Sequence, residues 1–103
     1  MAKFQLKAAP TFQAKVGFPQ AGGDPVDVLL TFKHRTKDAL DEFVKSRVGK
    51  TDAEAFLEMV EGWELDDEMT KENVELLTQN HMGVGLATFQ KYIDELVQHR
   101  RGN

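Results

Sequence analysis

The sequence has no cysteine, one serine, one tryptophan and one tyrosine among 103 residues. Without cysteine there are no disulfides, thiolate metal sites or thiol nucleophiles, and a reducing compartment such as the cytoplasm is expected. The lone Ser46 lies in a helical pattern without the G-x-S-x-G surroundings of a nucleophile turn, so no hydrolytic triad is expected. No apolar run approaches the roughly 18 to 20 residues that span a bilayer, and Met1 to Ala9 lacks the continuous apolar region of a secretory signal. No membrane partner is expected. Basic charge is also short: thirteen Lys and Arg face seventeen Asp and Glu, a net charge of -4. That balance disfavours a broad phosphate-binding surface, and nucleic acid is not expected as the main partner.

A hydrophobic fraction of 41% beside 29% charged residues is ordinary for a folded globular domain. The length predicts one domain over residues 1–103, with loose ends at about 1–9 and 100–103. A domain this small buries only roughly two-thirds of its unfolded surface, so a partner that covers more would add stability.

Phe12, Ala14, Val16 and Phe18 alternate with polar residues or glycine, as do Val26, Val28, Leu30 and Phe32. That period of two predicts two strands with one buried face. Between them, Pro19-Gln20-Ala21-Gly22-Gly23-Asp24-Pro25 predicts the turn of a hairpin. From Thr36 the period becomes helical. One helix is predicted over about Lys37 to Val48, ending at Gly49. A second follows the capping box Thr51-Asp52-Ala53-Glu54, with Phe56, Leu57 and Val60 inward and Gly62 as its stop. Thr70 caps a third that runs to about Asn80, with Met69 and Val74 spaced as a hydrophobic staple. Leu86, Phe89, Ile93, Leu96 and Val97 mark a fourth, ending near His99. The predicted fold is therefore α+β, a two-stranded antiparallel hairpin followed by about four short α-helices.

No candidate for chemistry withstands comparison with a plainer reading. Glu64 and Asp66-Asp67-Glu68 form the densest acidic cluster, yet they lack the spacing of a calcium loop and suit solvent before a helix N-terminus. His34, His81 and His99 fall on separate elements without the i, i+4 spacing of a zinc site. Gly22-Gly23 and Gly83-Val84-Gly85 lack a phosphate-loop frame and read as turns. No metal, cofactor or catalytic residue is expected. Lys33-His34-Arg35 with Lys37 is the best basic cluster, either a solvated strand end or the phosphate contact of a nucleic-acid-associated regulatory protein.

Binding surfaces are better represented. Trp63 combines a large apolar area with one N–H donor, which suits a core plug or an interface anchor. In the fourth helix, Phe89, Tyr92, Ile93, Leu96 and Val97 span a wider arc than a narrow seam needs, so part of that arc is expected to dock a partner.

The stretch Glu58-Met59-Val60-Glu61-Gly62-Trp63-Glu64-Leu65-Asp66-Asp67-Glu68-Met69, followed by Glu72-Asn73-Val74-Glu75-Leu76-Leu77, resembles phage tail assembly chaperones of siphophages and prophages. So does the opening, Phe12 to Phe18 and Asp24-Pro25-Val26 leading to Thr31-Phe32-Lys33-His34-Arg35-Thr36. One departure is His81-Met82-Gly83, where the family pattern leads one to expect a Pro-Gly turn. The resemblance implies a non-catalytic protein of the host cytoplasm, absent from the mature virion. It implies that the protein binds the tape measure protein, keeps it soluble and helps recruit tail tube protein subunits. It also implies the short form where a longer frameshifted form exists. Self-association of several copies would suit such a role.

Overall fold

Strand β1, Thr11–Phe18, pairs antiparallel with β2, Val26–Lys33, placing Phe12 opposite Phe32, Ala14 opposite Leu30 and Val16 opposite Val28. One register therefore gathers the apolar alternates of both strands on one face, because side chains two apart point the same way. The opposite face carries Gln13, whose amide donates to the Thr31 hydroxyl at 3.3 Å. At the hairpin tip Gly22 takes φ +77°, a left-handed conformation that glycine adopts without steric cost. A computed structural model of the chain describes residues 4–97; residues 1–3 and 98–103, and with them the expected loose positions 1–3 and 100–103, lie outside the described residues.

Helix α1 spans Lys37–Ser46 and continues as a tight 3-10 turn, Arg47–Gly49. Thr36 caps it by accepting from the Ala39 N–H at 3.2 Å. Helix α2, Asp52–Met59, opens on the predicted capping box: the Thr51 hydroxyl accepts from the Glu54 N–H, and the Glu54 carboxylate accepts from the Thr51 N–H. Helix α3, Lys71–Asn80, begins with the Thr70 hydroxyl accepting from the Asn73 N–H. Helix α4, Val84–Val97, reaches the limit of the described residues, so the expected end near His99 lies outside them.

The sheet has three strands rather than the two predicted. Val60–Trp63, of which the sequence predicts Val60 to Gly62 as the end of the second helix, forms β3 on the open edge of β2. Phe32 faces Val60 and Leu30 faces Trp63, with a bulge at Glu61 between the two pairs. The bulge is why the sequence misleads. Val60 and Trp63 are three apart, which imitates a helix, and the extra residue lets both turn toward the core.

The helices cover the apolar face of the sheet, with α4 crossing β1 and packing on α2. Leu30, Phe32, Phe56, Val60, Val74, Val84 and Tyr92 are wholly buried or nearly so. Thr88 is also fully buried on α4, and its hydroxyl has no hydrogen-bond partner. A buried unsatisfied hydroxyl costs free energy that an apolar group of the same shape does not. Thr88→Val is therefore expected to stabilise the domain by about 1 kcal/mol, seen as a higher urea midpoint with an unchanged slope.

The turn between α3 and α4 keeps the glycine of the expected Pro-Gly pair for a steric reason. It runs close against the hairpin, where a Cβ on Gly83 would lie 2.6 Å from the Pro19 ring. Only glycine fits that approach without moving the hairpin.

Candidate functional site

Two surfaces carry the residues that the sequence marks for binding. The first is built on β3. Trp63 packs edge-on against Phe56, ring centroids 6.1 Å apart, and its indole N–H donates to the Asp67 carbonyl at 2.8 Å. That bond ties the following loop beside the ring and satisfies the single donor. Trp63 is half-buried: one side packs on the core and the other is accessible.

The accessible side lines a cavity of about 360 Å³ with Leu65, Leu76, Leu77 and His81. A neighbouring cavity of about 240 Å³, bounded by Phe18, Val26 and Val28, shares Leu65, Leu77 and His81 with it. Together they form one apolar groove. Leu76 and Val26 are 62% and 51% exposed, so the folded chain leaves large apolar side chains in water there.

The second surface is α4 with its neighbour α1. The predicted arc of α4 divides. Val84, Gly85, Thr88 and Tyr92 point inward, while Leu86 and Val97 are exposed and Phe89, Ile93 and Leu96 lie half-buried between. Phe89 packs on Phe43 with centroids 6.4 Å apart, and the Arg47 guanidinium sits 3.6 Å above its ring. Val44 and Val48 on and after α1 are also exposed.

Tyr92, expected in the docking arc, must be moved to the core. Its ring stacks with Phe32 at 5.4 Å and meets Phe43 edge-on at 6.0 Å, with no exposed area. Its hydroxyl donates to the Lys33 carbonyl at 2.7 Å and accepts from Arg35 at 2.9 Å. Burial pushes the Tyr92 pKa up, opposed by the hydrogen bond and the charge of Arg35.

Arg35 and Lys33 have a role that the sequence concealed. Arg35 Nη1 donates to the Glu58 carbonyl at 2.7 Å, and Lys33 Nζ donates to the Leu57 carbonyl at 3.1 Å. These carbonyls belong to the last turn of α2, which lacks intrahelical donors and has no basic residue of its own. Two cations from β2 and the residues just after it thus cap a helix that follows in the chain. The missing basic residue in that turn was the one local hint. Of the basic cluster, only His34 and Lys37 stay outside this arrangement, and Lys37 faces Asp41 at 3.8 Å.

The remaining candidates stand apart. Ser46 donates to the Phe43 carbonyl at 2.8 Å and accepts from Lys50 Nζ at 2.7 Å, finishing α1. His34 follows β2 and His81 follows α3, while His99 lies outside the described residues. Among the described residues, no group of three or more His, Asp or Glu is placed to hold a metal ion. Also among them, no helix is long and apolar enough to cross a membrane.

The fold and these surfaces define a small α+β domain that presents exposed apolar surfaces beside an acidic stretch. The chain matches the family described as phage tail assembly chaperone over residues 1–103, the whole of its length, and belongs to that family. Its role is accordingly that of a chaperone in tail assembly. No curated protein and no solved structure matches it.

Proposed function

We propose that the protein binds the tape measure protein, keeps it soluble in the host cytoplasm, helps recruit tail tube subunits, and is absent from the mature virion. Family membership over the whole chain supports the tail-assembly part of this role. The observation that carries the binding mode is the apolar band along α4, where exposed Leu86 and Val97 flank half-buried Phe89, Ile93 and Leu96. A long helical partner exposes a stripe of apolar side chains at spacings of three and four, and a helix laid along this band would cover both surfaces.

Co-expression with the tape measure protein of the same genome, followed by pull-down, is the test. Phe89→Ala is expected to weaken capture by about 1 to 4 kcal/mol. Because Phe89 also touches Phe43 and Arg47, the exposed position supplies the control: Val97→Asp is expected to abolish capture while leaving urea unfolding within about 0.5 kcal/mol of wild type. Undiminished capture by both folded variants would remove α4 as the docking face.

A further inference from the structure

Residues 4–10 are exposed, and Phe4 and Leu6 are 96% and 102% exposed. No apolar pair elsewhere among the described residues is left so fully in water. The two are spaced i, i+2, so an extended backbone presents both on one side, about 7 Å apart. The groove beside Trp63 offers the matching shape, two adjoining apolar depressions joined at Leu65 and Leu77.

Charge matches as well. The first 23 residues contain Lys3, Lys7 and Lys15 and no Asp or Glu. Residues 61–75, which border the groove through Trp63, Leu65, Asp67 and Asn73, contain seven Asp and Glu against Lys71 alone. All seven are exposed, and none forms an ion pair among the described residues. The sequence is therefore segregated into a basic apolar arm and an acidic stretch that borders the apolar groove, with Asp67 in its lining.

We propose that the arm of one copy, through Phe4 and Leu6, seats in the groove between Trp63 and Leu77 of a second copy. A copy does not fill its own groove. The arm joins the start of β1 and borders a cavity with Thr36, Leu40 and Val97, whereas the groove opens at Phe18 and Pro19, the other end of that strand. The strand is roughly 23 Å long, and the arm extends at most roughly 20 Å from Pro10. The contact joins two different patches, so it is head-to-tail and propagates along a chain of copies instead of closing in a symmetric pair. The groove it uses is separate from α4, so L76D tests it independently of tape measure binding.

Trp63 is the only tryptophan and reports on the groove directly. A synthetic peptide of residues 1–10, titrated into the full chain, is expected to shift Trp63 emission, with affinity falling as salt rises. The F4S/L6S peptide, and the wild-type peptide against the L76D protein, are each expected to bind at least tenfold more weakly. In sedimentation, full chains carrying F4S/L6S or L76D alone are expected to stay monomeric. Mixed together they are expected to form heterodimers, because one retains its groove and the other its arm. Unchanged emission and no heat of binding up to about 1 mM peptide would overturn the proposal. So would equal binding by the F4S/L6S peptide, a measurement that does not depend on the L76D protein folding.

Discussion

Tyr92→Ala is expected to lower the unfolding free energy by about 3 to 5 kcal/mol, the usual cost of removing a buried aromatic ring. The ring has no exposed area and joins three others, Phe12, Phe32 and Phe43, from two strands and a helix. Its loss leaves a void that β1, β2 and α1 all border. Tyr92→Phe separates the ring from the hydroxyl. It keeps the stack but leaves the Lys33 carbonyl and one Arg35 donor without their partner, for an expected cost of about 1 to 2 kcal/mol. Urea unfolding of both variants measures the two parts. A Tyr92→Ala variant as stable as wild type would return Tyr92 to the list of docking residues.

The same residue sets an alkaline limit. Burial raises the Tyr92 pKa above the ordinary 10.0, so the folded chain holds this proton to a higher pH than the unfolded chain does. The contribution of neutral Tyr92 is complete below pH 10.0 and is lost as pH rises beyond that value through the raised one. In Tyr92→Phe that alkaline loss should be smaller, measured as unfolding free energy against pH.

Arg35→Ala is expected to cost about 2 to 3 kcal/mol, because one side chain holds several elements together. Its guanidinium donates to the Glu58 carbonyl at 2.7 Å and to the Tyr92 hydroxyl at 2.9 Å, and lies 4.5 Å from the Phe43 ring centroid. The ion pair with Glu58 adds little: it is 3.8 Å long, and Lys50 approaches the same carboxylate at 2.6 Å. Removing Arg35 uncouples the end of α2 from β2 and leaves its last carbonyls short of a donor. Arg35→Lys should restore only part of the loss, since an ammonium can replace the two bonds of Nη1 but not the planar guanidinium that lies over the Phe43 ring. Urea midpoints of the alanine and lysine variants decide it, and full recovery by lysine would show that charge alone matters.

For the two exposed apolar surfaces, the sequence revealed the residues but not which of them face inward. Periodicity located the apolar arc of α4, and it could not say which edge of that arc faces inward. Tyr92 and Ile93 are neighbours in the chain, about 100° apart around the helix, and only the packing of Phe12, Phe32 and Phe43 chose the first for the core. For Trp63 the sequence left core and interface both open. The pairing of β3 with β2 places the ring against Phe56 with one side still accessible.

What the sequence determined by itself is whatever depends on residues close together in the chain. The hairpin follows from two alternating runs around Gly22, and the helix starts follow from Thr36, Thr51 and Thr70, each of which accepts a backbone N–H three residues on. What the tertiary structure decided depends on partners far apart in the chain. Val60–Trp63 becomes a strand because β2 has an open edge to pair with, and Arg35 becomes a helix cap because α2 ends beside it, 23 residues later. Local patterns of polarity fix which backbone turns are cheap. They do not specify which distant donor meets an unpaired carbonyl, because that meeting exists only once the core has brought the elements together.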